Sequence, residues 1–215
     1  MKAITPVLLC IASVTLASAQ TGSAVSSNPA TATTTASQDS YEPIGTSGRF
    51  QWFAMSTVGP ASLLGGTISS GWGTLYNSPR EYGTHWTGFG ERYGMRLTGV
   101  SVSNAMEASL GAAWGEDPRY IRDAGAPFKN GIGHVMKMTF LAQNREGRAM
   151  PAYARYMAIT GSNFLSNAWR PDSDATVARA SARTLLGFLA RMSSNAWDEF
   201  WPDVKAKLFH KGPTD

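Results

Sequence analysis

The chain has 215 residues, 43% of them hydrophobic, a formal net charge of +4 and a single cysteine. This length suits one domain with a sizeable core, and the small charge does not mark a nucleic-acid binder. One cysteine excludes an internal disulfide framework and a thiolate metal site.

Lys2, the apolar run Val7 to Leu16 and the small-residue trio Ala17-Ser18-Ala19 predict a signal peptide over 1–19, cut before Gln20. The run is too short to span a membrane. Cys10 follows Leu9, where a lipidation signal needs a small residue, so no lipid anchor is expected. Cleavage removes the only cysteine. Export without disulfides fits a bacterial envelope or secreted protein held together by packing alone. Residues 20–45 are rich in Ser, Thr and Ala and read as a disordered linker, because they bury too little to offset their ordering entropy. A helical domain over 46–207 follows, with 208–215 as a disordered tail.

Arg49 and Arg80 bracket thirty residues without a charge. Within them Pro60 opens a helix to about Tyr76, carrying Leu63, Leu64, Ile68, Trp72 and Leu75. Ser78, with Pro79 next and Glu81 three residues on, forms a capping-box signature. It predicts a helix from Pro79 to about Trp114. On that helix Tyr82, Trp86, Phe89 and Tyr93 make an aromatic ridge. Gly83, Thr87, Gly90 and Gly94 make a small-residue groove beside it, and Glu81, His85, Gly88 and Arg92 a polar edge. Glu116-Asp117-Pro118 ends the helix, with Asp117 placed to cap a turn at Pro118.

Further along, Phe128 to Gln143 reads as a helix, Asn144 to Met150 as a polar turn, and Pro151 to about Trp169 as another helix. Asp172-Ser173-Asp174 supplies caps for a last helix that Pro202 ends or kinks. Val177, Ala180, Thr184, Leu185, Phe188, Leu189 and Met192 form its apolar face, with Arg179, Arg183 and Arg191 on another. Period-two alternation is missing, so strands are poorly supported. Ser-Asn-Ala recurs at 103–105, 166–168 and 194–196, either by chance or because these asparagines pair between helices. The expected fold is mainly α, a single bundle of about five to six helices with glycine-mediated close packing. The alternative is a chain that orders only against lipid or a partner, since its glycines weaken isolated helices.

The blocks Asn77 to Gly83, Trp86, Phe89-Gly90, Arg92-Tyr93-Gly94, Glu116 to Tyr120 and Phe200 to Asp203 resemble a family of exported bacterial proteins with no established function. The resemblance covers roughly residues 50–205. It implies one exported domain and brings no catalytic or binding residue with it.

The candidate chemistry is sparse. Glu81 and His85, one helical turn apart, make a possible acid–base or metal pair that His134 and Glu107 would have to complete. Two ligands do not make a metal site, and no metal or cofactor is assigned. Glu107 lies among Ser103, Ala105, Ala108, Leu110 and Ala112, surroundings that bury an acid and raise its pKa. The bland reading pairs it with Arg92, Arg96 or Arg119. Arg92 and Arg119 are candidate anion contacts. Gly-x-Ser-x-Gly is absent, and Gly88-Phe89-Gly90 follows no strand, so neither a nucleophile elbow nor a phosphate loop is present.

Residues 117–170 hold eight basic side chains against three acids, a local excess that either meets an anionic surface or is a solvated face. Gly90 and Gly94, and Gly66 with Ser70, allow close helix approach of the kind common in membranes. The resulting expectation is a non-enzymatic envelope protein, peripherally associated with membrane lipid or cell-wall polymer, with helix-mediated self-association and no nucleic-acid partner. The alternative is a small hydrolase of an envelope polymer or lipid using Glu107, Glu81 and His85.

Overall fold

A computed structural model describes residues 41–123 and 127–209. The predicted signal peptide, nearly all of the linker and most of the tail lie outside the described residues. The described chain is mainly helical, as expected. Its elements are α1 (Thr46–Val58), α2 (Pro60–Leu75), α3 (Trp86–Trp114), α4 (Phe128–Phe140), β1 (Leu141–Gln143), β2 (Ala149–Pro151), α5 (Tyr153–Leu165) and α6 (Val177–Phe209).

Two long helices organise the bundle. α1 and α2 run antiparallel along α3, broken at Gly59, whose backbone is extended, with Pro60 at the first position of α2. Asn104 donates to Thr57 Oγ1 at 3.1 Å near one end, and Arg96 donates to the Ser62 carbonyl at 3.1 Å further along. α6 is covered by α5 over its first half and by α4 over its second, both antiparallel to it. Gly187 lies under Ile159, and Arg183 donates to Asn167 Oδ1 at 2.5 Å. Gly131 lies under Phe200, and Asn195 donates to Thr139 Oγ1 at 3.2 Å. α3 and α5 join the two halves. All three asparagines of the Ser-Asn-Ala triplets thus bridge elements through other side chains, with Asn195 alone of the three buried.

Several boundaries differ from expectation, each for a local reason. Pro79 is extended, Arg80–Tyr82 form one 3-10 turn, and α3 starts only at Trp86. Arg92 draws the turn away from helix. It donates to the carbonyls of Ser78 at 2.9 Å, Pro79 at 2.7 Å and Gly83 at 2.7 Å. Gly83 has φ +70°, and Gly88 sits so close beneath the Tyr82 carbonyl that no Cβ fits there. Trp86, Phe89 and Tyr93 keep their ridge on α3, with ring centroids 5.8 and 6.1 Å apart, while Tyr82 lies outside the helix.

Close packing through glycine occurs at Gly66, Gly88, Gly111, Gly131 and Gly187. At Gly90 and Gly94 no described atom lies within 4 Å of an added Cβ, so that predicted groove faces outward. At its other end α3 closes as expected at Trp114, with Gly115 left-handed and its N–H bonded to the Gly111 carbonyl.

α4 stops at Phe140, because the next three residues pair with Ala149–Pro151 in a hairpin. Asn144 Oδ1 accepts the N–H groups of Glu146 and Arg148, each at 2.9 Å, and Gly147 takes φ +74°. Pro151 thus ends β2, and α5 begins at Tyr153. On α6 the cap is Thr176, whose Oγ1 accepts the Arg179 N–H at 3.2 Å. Asp174 instead pairs with Arg170 at 2.6 Å and Arg183 at 3.2 Å. Pro202 lies inside α6, which continues to Phe209. The linker's last residues also pack: Tyr41 donates to Asp117 Oδ2 at 2.9 Å, and the Glu42 carbonyl accepts from Arg119 at 2.8 Å.

The interior is unusual in what it buries. Its fully buried apolar side chains are mostly small, with Val135, Met138 and Ile159 the larger ones. Arg92, Glu107, Glu116, Asp117, Arg155, Asn195 and Glu199 are buried with them. The large aliphatic and aromatic side chains of α2, those of α4 at Phe128, Ile132, Met136 and Phe140, and many of α6 are exposed.

Candidate functional site

Glu107 is the centre of the buried polar cluster. The third helix carries it inward among small residues, as the sequence suggested, and leaves it 3% exposed. Its Oε1 accepts from Arg155 Nε on α5 at 3.0 Å and from Arg191 Nη2 on α6 at 3.0 Å. Arg155 is the only charge on α5 and is 1% exposed. Its Nη1 also donates to the carbonyls of Met138 at 2.7 Å, Thr139 at 3.1 Å and Leu141 at 3.3 Å. A cation thus sits at the negative end of the α4 dipole. Arg191 further donates to the Pro118 carbonyl at 2.5 Å and lies over the Trp52 ring at 5.6 Å.

Two neighbouring acids finish the cluster. Glu116 accepts the N–H groups of Ala154 at 2.8 Å and Arg155 at 3.4 Å, satisfying orphan donors at the start of α5. Trp114 Nε1 also donates to it at 3.2 Å. Asp117 accepts its own loop at Arg119 N, 3.0 Å away, which is the capping role expected of it. Arg119 then grips both its oxygens, Nε at 3.1 Å from Oδ1 and Nη2 at 2.7 Å from Oδ2. Burial and the Asp117 hydrogen bond push the Tyr41 phenol up to about 12. Nearby, Glu199 accepts from Tyr120 at 2.8 Å, and burial followed by that bond raises the Tyr120 phenol as well.

The predicted residues do not form one constellation. Glu81 is exposed in the 3-10 turn, where the Ser173 hydroxyl holds its carboxyl below the ordinary value. His85 is exposed just before α3 and makes no side-chain cap. The helical turn meant to align the two is therefore not there, because Arg92 holds residues 78–83 in another shape. His134 Nε2 bonds the Ile121 carbonyl at 2.8 Å and its ring meets Tyr120 edge-on. Neither histidine nor Glu81 belongs to the Glu107 cluster. Arg92 and Arg119, proposed as anion contacts, spend their donors on carbonyls and on Asp117. Among the described residues, no group of three His, Cys, Asp or Glu side chains is arranged to hold a metal.

The true partners of Glu107 escaped the sequence reading. The sequence points to Arg92, Arg96 or Arg119, whereas Arg155 and Arg191 fill the role. The signal for Arg155 was its isolation as the lone charge of an otherwise uncharged helix. The sequence pattern sets Arg191 on a face apart from Leu185 and Leu189, yet those two are exposed. The basic excess is largely neutralised: Arg119, Arg122, Arg148, Arg155 and Arg170 each pair with an acid.

Two open grooves cross the described surface. One of about 460 Å³ is lined by Tyr82, Glu91, Gly94, Met95, Trp169, Arg170 and Pro171. Another of about 230 Å³ lies between the end of α3 and the hairpin turn. Neither is lined by Glu107, Glu81, His85 or His134.

The outer surface is the more distinctive feature. On α2 the exposed stripe is Leu64 at 65%, Ile68 at 72%, Trp72 at 63% and Leu75 at 79%. The opposite stripe, Ser62, Gly66, Ser70 and Gly73, packs on Arg92, Tyr93 and Arg96 of α3. α4 exposes Phe128, Ile132, Met136 and Phe140 at steps of four. Among the described residues no helix is long and apolar enough to cross a membrane. Comparison with protein-family models, with curated proteins and with solved structures finds no match for this chain.

Proposed function

We propose that this chain is a non-enzymatic exported envelope protein, peripherally associated with membrane or cell wall. The observation that carries this reading is the inverted distribution of polarity. Ion pairs and Asn195 occupy the interior, while large apolar side chains line the outside of α2, α4 and α6. Contiguous exposed apolar surface marks an interaction with a partner or a membrane. The predicted signal at 1–19 supplies the route to the envelope. The hydrolase reading draws no support from Glu107, whose Oε1 is occupied by two guanidinium groups.

Cell fractionation followed by high-salt and carbonate washes tests the proposal. The expected result is recovery in the envelope fraction, with release by carbonate. Recovery wholly in the soluble periplasm or the medium, with no binding to vesicles or cell-wall polymer, would overturn it.

A further inference from the structure

We infer that the groove between the first half of α3 and the connection from α5 to α6 binds a neutral pyranose chain, a glycan of the cell wall. The choice of a cell-wall glycan rests on the envelope reading above and names its partner. The groove holds about 460 Å³, inside the range of about 300–1,000 Å³ seen for ligand sites. Glu91, Gly94 and Met95 line it from one face of α3, and Trp169, Arg170 and Pro171 from the connection. Gly94 keeps it open, since no described atom lies within 4 Å of an added Cβ and a side chain there would stand in the groove. Each side offers one polar group. Glu91 is exposed, and its carboxylate makes no hydrogen bond to a described residue. Arg170 donates from Nε to Ser166 Oγ at 3.1 Å and from Nη1 to Asp174 Oδ2 at 2.6 Å, which leaves Nη2 unpaired among the described residues.

The lining selects the occupant. Arg92 already lies over the Tyr82 ring at 5.5 Å, and Arg170 adds a second guanidinium, so a cationic ligand is disfavoured. The Glu91 carboxylate disfavours an anion from the α3 side. An acyl chain would cover a carboxylate and a guanidinium without bonding either, which costs free energy. Seven lining residues fall far short of the about 20–30 on each side of a protein interface, so neither a second copy nor another protein is specified by this groove. A pyranose meets every requirement. It is uncharged, its hydroxyls donate to Glu91 and accept from Arg170, and its C–H face lies against the electron-rich face of the half-buried Trp169 ring. The groove is open to solvent, which suits a stretch of a chain passing through it better than an enclosed small molecule.

The test is isothermal titration calorimetry of the full chain with two probes, the tetramer of β-1,4-linked N-acetylglucosamine and cellotetraose. The expected result is binding of at least one of them with a Kd of about 0.1–1 mM, the weak range of an open site. Gly94→Leu should weaken that binding by about tenfold or more, because the new side chain occupies the ligand's place. Glu91→Ala should weaken it by about tenfold, the loss of one hydrogen bond to a charged group. Arg148→Ala, on the hairpin, should leave it unchanged. Gly94→Leu meets no described atom near its Cβ and replaces a helical glycine, so its urea midpoint should not fall, and lost binding then reports the groove and not the fold. Binding of neither tetramer overturns the inference, and recovery of the same chain in the envelope fraction then leaves the envelope reading standing. Binding that Gly94→Leu and Glu91→Ala both retain overturns the assignment to this groove. Tetramer binding by a chain absent from the envelope fraction keeps the pyranose site and removes the envelope reading.

Discussion

Replacing Glu107 by glutamine separates a structural hub from a catalytic acid. The amide keeps the shape and removes one buried charge. Two guanidinium groups then lose their shared counter-ion, each held at 3.0 Å from the same oxygen. Arg155 retains its three carbonyl acceptors and Arg191 retains Pro118, so neither is stripped of every hydrogen bond. Breaking a buried ion pair from one side costs about 3–5 kcal/mol. Domains are typically stable by only about 5–15 kcal/mol, so the loss is a large fraction of the whole. With a urea slope of about 2 kcal/mol per molar, the unfolding midpoint should fall by about 1.5–2.5 M. Urea unfolding of the full chain followed by far-ultraviolet circular dichroism reads this directly. Glu91→Gln, on the exposed side of the same helix, should stay within about 0.5 kcal/mol of the parent. A loss below about 1 kcal/mol for Glu107→Gln would refute the hub, because an acid held for chemistry rather than packing is replaceable without such a cost. Adding Arg155→Met to Glu107→Gln should recover part of the loss, since the stranded cation goes with it.

The glycines make a paired prediction. Gly94→Ala meets no described atom within 4 Å and should stabilise α3 by roughly 0.5–1 kcal/mol through helix propensity. Gly111→Ala would place its Cβ 2.9 Å from the Glu116 carbonyl and should cost about 1–3 kcal/mol in the same melts. Equal effects at the two positions would contradict the packing described. At alkaline pH, Tyr41 should cost stability, because its folded value of about 12 lies above its ordinary 10.0. Folding favours the neutral phenol, so this contribution is complete below about pH 10 and is lost as pH rises through about 12. Tyr41→Phe should show a smaller fall in urea midpoint across that window and lose one late phenolate transition in ultraviolet absorbance. An unchanged alkaline fall would argue against the Tyr41–Asp117 bond.

Much of the fold was legible because helix periodicity survives in sequence. Pro60 at the start of α2, Gly115 at the end of α3 and the polar turn after residue 143 act through local backbone preferences. The turn at 79–85 was not legible. Its capping-box pattern is local, but the force that overrides it comes from Arg92, which reaches back to three carbonyls. The hairpin was missed because three-residue strands carry no period. The inward face of α6 keeps Ala180, Thr184, Phe188 and Met192 of the expected apolar face but not Leu185 and Leu189, for a related reason. Leu185 and Leu189 look like core residues, whereas the inward ridge is Ala180, Thr184, Phe188, Arg191, Asn195 and Glu199, four of the six polar. A hydrophobicity rule orients a helix correctly only when its environment is more polar than its neighbours. For Glu107, burial was readable from the small residues around it. Its partners were not, since Arg155 and Arg191 reach it only through tertiary packing.

The hub also sets an order of events during synthesis. Glu107 and Arg191 lie 84 positions apart, and Tyr120 and Glu199 lie 79 apart. At ribosomal speeds of about 5–20 residues per second, roughly 4–17 s separate the appearance of Glu107 from that of Arg191. Through that interval the buried acid has at most one of its two cations, and the loop after α3 has nothing from α6 to hold it. Such long-range closure is slow, because chain entropy is lost before the contacts that offset it are made. The contacts of Glu107 with Arg191 and of Tyr120 with Glu199 therefore close only after α6 arrives.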